Sequence, residues 1–114
     1  MRCVFCSLRH QTWAEEKCEY ISEDLWKQYI DAVAEWLPKC RMEIANRGEQ
    51  TIHPRFPELI AYARQKLPRV QILVSTNGDL SQRIGVENYA AWVEQAQQAG
   101  VNIFMFDCYT QPRL

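Results

Sequence analysis

Apolar positions along this chain recur with two different periods, and each period predicts an element. Leu25, Tyr29, Val33, Trp36 and Leu37 fall at helical spacing, which predicts a helix capped by Ser22 and running to about Leu37 with those residues on its buried face. Pro38 stops it. Arg41-Met42-Glu43-Ile44-Ala45 alternates polar and apolar residues, the period of a strand. Phe56, Leu59, Ile60, Ala63 and Leu67 then predict a helix over Pro54–Leu67, with Pro57 in its first turn. Val70 to Val74 is rich in β-branched residues and predicts a buried strand. Val86 to Ala99 predicts a helix with Val86, Tyr89, Ala90, Val93 and Ala96 facing inward, ended by Gly100. Val101 to Phe106 is a further apolar strand run.

Strands separated by helices make βαβ units, hence an α/β fold with a parallel sheet and right-handed crossovers. The expected architecture is a three-layer fragment with strands near Met42–Ala45, Val70–Val74 and Val101–Phe106 and helices on one side of the sheet. No repeat, low-complexity tract or linker interrupts it, so residues 1–114 read as one domain.

Ligands in such sheets bind beyond the carboxyl ends of the strands. There the chain places Gly48 and Glu49, then Thr76, Asn77 and Gly78, then Asp107 and Cys108. Three successive strand ends with small or polar residues predict one shared site.

Composition narrows the function. Hydrophobic residues make up 47% of the 114, enough for a core, and the formal net charge of −1 offers no electrostatic footprint for nucleic acid. No apolar run approaches a membrane span, and no basic start followed by an apolar stretch marks a secretory signal. Five cysteines without a disulfide-scaffold spacing predict a reducing, cytoplasmic setting in which cysteines bind metal or sit buried. Cys3-Val4-Phe5-Cys6 is a C-x-x-C element, open to two readings by itself: a redox pair, or part of a zinc site with His10 and Cys18. Cys40 and Cys108 read as small buried hydrophobes, and His53 as a turn residue before Pro54. Trp13, Trp26, Trp36 and Trp92 read as core or interface groups. Arg47 beside a strand end suits either a substrate carboxylate or an ion pair with Glu49.

In order along the chain, these segments resemble the core of the radical S-adenosylmethionine (radical SAM) enzymes. That family's signature is C-x-x-x-C-x-x-C with an aromatic residue before the last cysteine. Cys3 and Cys6 match its second and third cysteines, and Phe5 matches the aromatic. The resemblance implies a [4Fe–4S] cluster held by Cys3 and Cys6, with one iron left open to chelate S-adenosylmethionine and Phe5 near the adenine. One electron, from a donor such as flavodoxin or ferredoxin, would split the sulfonium, and the 5′-deoxyadenosyl radical would abstract hydrogen from a substrate the sequence does not name. Arg47-Gly48-Glu49-Gln50 resembles the family's Gly-Gly-Glu-Pro-like motif, which receives the SAM amino group, with Arg for the first Gly and Gln for Pro. Ile52-His53-Pro54-Arg55-Phe56 is similar to the usual continuation. Thr76-Asn77-Gly78 matches a Thr-Asn-Gly element, and Ser75 a position contacting the amino-acid moiety. Asp107 falls where ribose or carboxylate contacts are found. The implied fold is a partial (βα)6 barrel with parallel strands and outer helices. The implied site has Gly48, Glu49 and Ser75 converging on one cleft at the amino-acid end of SAM.

The family's first cysteine would lie four residues before Cys3, ahead of Met1, and its barrel has more strands than these residues supply. The expectation is a central piece of that barrel, truncated at both ends, self-associating through exposed sheet edges and inactive alone. Two other readings remain: a small zinc-binding or redox module, and a non-catalytic half-barrel that serves interaction.

Overall fold

A computed structural model describes residues 19–45 and 48–107. Helix α1 (Glu23–Trp36) begins at Ser22, whose hydroxyl accepts from the Leu25 amide at 3.2 Å, with Glu23 and Asp24 in the first turn. Strand β1 (Arg41–Ile44) follows, then a single 3₁₀ turn at Gln50–Ile52 and helix α2 (Phe56–Lys66). Strand β2 (Gln71–Thr76) leads into a short α3 (Asp79–Ile84), then α4 (Val86–Ala99) and strand β3 (Ile103–Phe106). All three strands are parallel in the order β1-β2-β3, with Ile44 beside Val74 and Thr76 beside Phe106.

A parallel sheet whose strands follow in sequence order places every right-handed crossover on the same face. Met42, Ile72 and Val74 pack there against Trp26 and Ile30 of α1, Phe56, Leu59, Ile60 and Ala63 of α2, and Ala96 of α4. The other face carries Glu43, Ser75, Ile103 and Met105 by strand alternation. The described residues therefore form two layers, not the three expected. A third layer needs helices on both faces, and both crossovers lie on one.

Two further expectations are corrected. The predicted apolar face of α1 is buried only in part: Val33 packs against the core, but Leu25, Tyr29 and Trp36 are 56%, 51% and 78% exposed, whereas Trp26 and Ile30 are buried. The helix has two apolar stripes, and the indole of Trp26 decides between them by donating to the Leu59 carbonyl at 2.8 Å inside the core. On α4, Ala96 is buried and Trp92 packs on the core, while Val86 and Ala90 face solvent. The stripe of α2 is buried as read, and Cys40 is partly buried against the core. The six-residue α3 is too short to show a period.

At the amino ends of the strands, Arg64 joins three segments. Its guanidinium donates to the carbonyls of Leu67, Val70 and Gly100 at 3.0, 2.7 and 2.7 Å and to Asn102 Oδ1 at 2.6 Å. Asn102 Oδ1 also accepts the Ile72 amide at 2.8 Å while the Asn102 amide donates to the Ile72 carbonyl at 2.9 Å, so backbone and side chain together tie β2 to the start of β3. No described helix is long and apolar enough to cross a membrane.

Candidate functional site

The opposite, carboxyl ends of the strands are joined by one residue after another. Gln50 starts the 3₁₀ turn, and its amide Nε2 reaches the carbonyls of Ile44 at 2.9 Å and of Ser75. It thus holds together the ends of β1 and β2. Glu49, the residue before, caps that turn with its own carboxylate. Oε1 accepts from the Thr51 amide at 3.2 Å, from the Thr51 hydroxyl, and from the Thr76 hydroxyl at 2.7 Å. Oε2 accepts the Asn77 amide at 2.9 Å. Three of these four donors fall on Oε1, so that oxygen is fully engaged by the chain while Oε2 keeps one acceptor site.

The β2 end continues this order. Thr76 Oγ1 accepts the Gly78 amide at 3.1 Å, and Asn77 Oδ1 accepts the Asp79 amide at 2.8 Å, which starts α3. Gly78 sits at φ 71° and Gly48 at φ 84°, where a Cβ is strained. Asp79 is held by Arg83 through Nε at 3.1 Å and Nη2 at 2.9 Å. The Asp107 amide donates to the Thr76 carbonyl at 2.8 Å and brings the end of β3 to the same place.

Glu49, Thr76, Asn77 and Asp107 are therefore joined by hydrogen bonds at one edge, with Gly48 exposed beside them. Ser75 is the exception. Consecutive strand residues point to opposite faces. Thr76 turns to the helix side and meets Glu49, so the Ser75 hydroxyl turns to the opposite face and donates to Glu43 Oε1 at 3.2 Å. The expectation that the side chains of Glu49 and Ser75 converge does not hold; Ser75 meets the Glu49–Gln50 loop only through its carbonyl. Cys3, Phe5, Cys6, His10, Cys18, Arg47 and Cys108 lie outside the described residues.

Sequence reasoning did not single out Glu43 or Thr51, named Tyr89 only as an inward-facing helix residue, and treated Gln50 only as a departure from a proline. Tyr89 stacks on Trp92 with centroids 5.7 Å apart and 7° between planes, and meets the edge of Phe106 at 6.3 Å. Its hydroxyl is buried and has no hydrogen-bond partner among the described residues. Burial raises the Tyr89 pKa above its ordinary value; the nearby Thr76 hydroxyl opposes this, and the Glu49 charge adds to it. His53 Nδ1 accepts the Arg55 amide at 3.1 Å, so its proton lies on Nε2 and goes to the Ile21 carbonyl at 3.1 Å. That makes His53 a local tie between the turn and the start of α1.

Among the described residues no group of three His, Cys, Asp or Glu side chains could hold a metal ion. No family model, no curated protein and no solved structure matches this chain.

Proposed function

We propose that this chain is the central part of a radical SAM core, a partial (βα)6 barrel that binds a [4Fe–4S] cluster and S-adenosylmethionine. The observation that carries the reading is the bond set of Glu49. Gly48-Glu49 and Thr76-Asn77-Gly78 resemble two SAM-binding motifs of that family, and the Glu49 carboxylate joins them in space at the carboxyl edge of a parallel sheet. Among the described residues the helices lie on one face and the strands follow in sequence order, which suits a barrel wall rather than a doubly wound sheet.

The bond set also changes the role of Glu49 within this reading. With Oε1 fully engaged, only Oε2 keeps an acceptor site for an ammonium group. Glu49 then chiefly positions the exposed Gly48 backbone and the Asn77 loop, while Ser75 and Glu43 offer polar groups on the sheet face opposite the helices. The described residues supply no thiolate or imidazole set of their own for a cluster, which leaves Cys3, Cys6 and a third thiolate to hold it. When bound, the cluster supplies the electron that splits the sulfonium of SAM, received from a donor such as flavodoxin or ferredoxin. Phe5 is placed at the adenine and Asp107 at the ribose by resemblance alone. The outer edges of β1 and β3 are the places where further strands or another copy would pair.

The test is anaerobic iron–sulfide reconstitution of the 114-residue chain beside a version extended N-terminally with a cysteine four positions before Cys3. The extended chain is expected to retain about four irons and absorb near roughly 400 nm, as thiolate-ligated clusters do. The 114-residue chain should give little or no 5′-deoxyadenosine with dithionite and SAM. Stoichiometric zinc with no iron in either form would replace this reading with the zinc module.

A further inference from the structure

We propose that the outer flank of α1 is a docking surface for an amphipathic helix of a partner protein, one whose apolar stripe is flanked by lysine or arginine. The inference does not depend on the cofactor reading. Leu25, Tyr29, Ala32 and Trp36 stand at offsets of zero, four, seven and eleven, a full stripe along one side of a helix. All four are exposed. At about 100° per residue the stripe lies away from the flank that meets α2. That other flank is marked by Trp26 bonded to Leu59, Asp31 bonded to Tyr62, and Lys27 over the Tyr62 ring. The stripe is therefore not spare core surface, since the core already has its own set of residues on this helix.

Its spacing suits ridge-into-groove packing by another helix, with Ala32 as the low point between large neighbours. The charges beside it select the partner. Asp24 and Glu35 are exposed on the stripe's solvent border. An incoming helix with basic residues at its own border gains complementary pairs and faster encounter. An antiparallel second copy of α1 does not fit, because it sets Asp24 against the copy's Glu35 at both ends.

The probe is a labelled synthetic helical peptide with leucines at the same four offsets, bordered by lysines, titrated against the full 114-residue chain by fluorescence anisotropy. A second peptide carries glutamates instead. The lysine peptide should bind at least about tenfold tighter than the glutamate peptide, and raising salt from about 0.05 to about 0.5 M should narrow that gap. Trp36→Ala should weaken binding roughly tenfold or more, as expected for a buried aromatic anchor, with the thermal midpoint unchanged because Trp36 is exposed. Equal binding of both peptides, or no effect of Trp36→Ala, overturns the proposal. So does a dimer in sedimentation that Trp36→Glu dissolves, which assigns the stripe to a second copy. Protection of Trp36 from hydroxyl-radical labelling in the monomeric chain alone overturns it as well, and assigns the stripe to residues 1–18.

Discussion

The Thr76 hydroxyl donates to Glu49 Oε1 at 2.7 Å across 27 positions of sequence. With the Asn77 amide on Oε2, this is the bond that makes two loops one structure. Glu49→Gln replaces one acceptor by a donor that must face another donor. The expected cost is about 1–3 kcal/mol of unfolding free energy, the range for leaving buried polar groups unpaired. Urea denaturation checks it; an unchanged midpoint would mean the carboxylate does not hold the loops.

Gly100 stands at φ 133°, and a Cβ there would lie 2.6 Å from the Cβ of Arg64. Gly100→Ala combines backbone strain with a clash against the side chain that binds the carbonyls of Val70 and Gly100. We expect a loss of about 2 kcal/mol or more. Thermal unfolding measures it, with Gly85→Ala as the control. Gly85 has a similarly strained φ of 84° but open space around its missing Cβ, so it should lose less.

Tyr89→Phe removes a buried hydroxyl that has no hydrogen-bond partner among the described residues. The stacked ring on Trp92 remains, so stability should be unchanged or rise by up to about 1 kcal/mol. The wild-type phenol has its pKa raised by burial, so folding keeps it protonated. Its contribution is present below the ordinary value of 10.0 and is lost as pH rises through the raised folded pKa. Tyr89→Phe should therefore flatten the alkaline fall in the thermal midpoint. A fall of the same slope in both proteins would remove Tyr89 from the account.

Between α1 and α2, Tyr62 donates to Asp31 at 2.9 and 3.0 Å, and Lys66 lies 3.2 Å away. The Tyr62 hydrogen bond, aided by Lys66, lowers the Asp31 pKa below 3.8, and Asp31 raises that of Lys66 above 10.5. The Asp31 contribution is thus present above pH 3.8 and lost as pH falls through the lowered value; the Lys66 contribution is lost as pH rises through the raised one. Asp31→Asn should lower the thermal midpoint slightly in the middle pH range, where the contribution is present, and reduce its slope against pH at both extremes. High salt should shrink the difference, because the cluster is exposed.

Much of the fold was legible because local chemistry and tertiary packing agree on it. Ser22 caps α1, Pro57 opens α2 and Gly100 ends α4, each through an interaction within a few residues. The buried stripe of α2 was readable because that helix has a single apolar face. The strand ends were correctly placed as a group, since parallel strands bring their carboxyl ends to one edge whatever their sequences.

What the sequence determined by itself is therefore the elements, their order and the parallel sheet, all set by periods and caps that act over a few residues. The tertiary structure alone decided which stripe of α1 is buried, because two stripes have the same spacing and only the Trp26–Leu59 bond separates them. It also decided that Glu49 takes Thr76 rather than Ser75, since the pleat and register of β2 fix which hydroxyl faces the loop. Glu49 and Thr76 carry no mark of each other in sequence; their bond exists because two strands lie side by side, and that contact is set by the whole core.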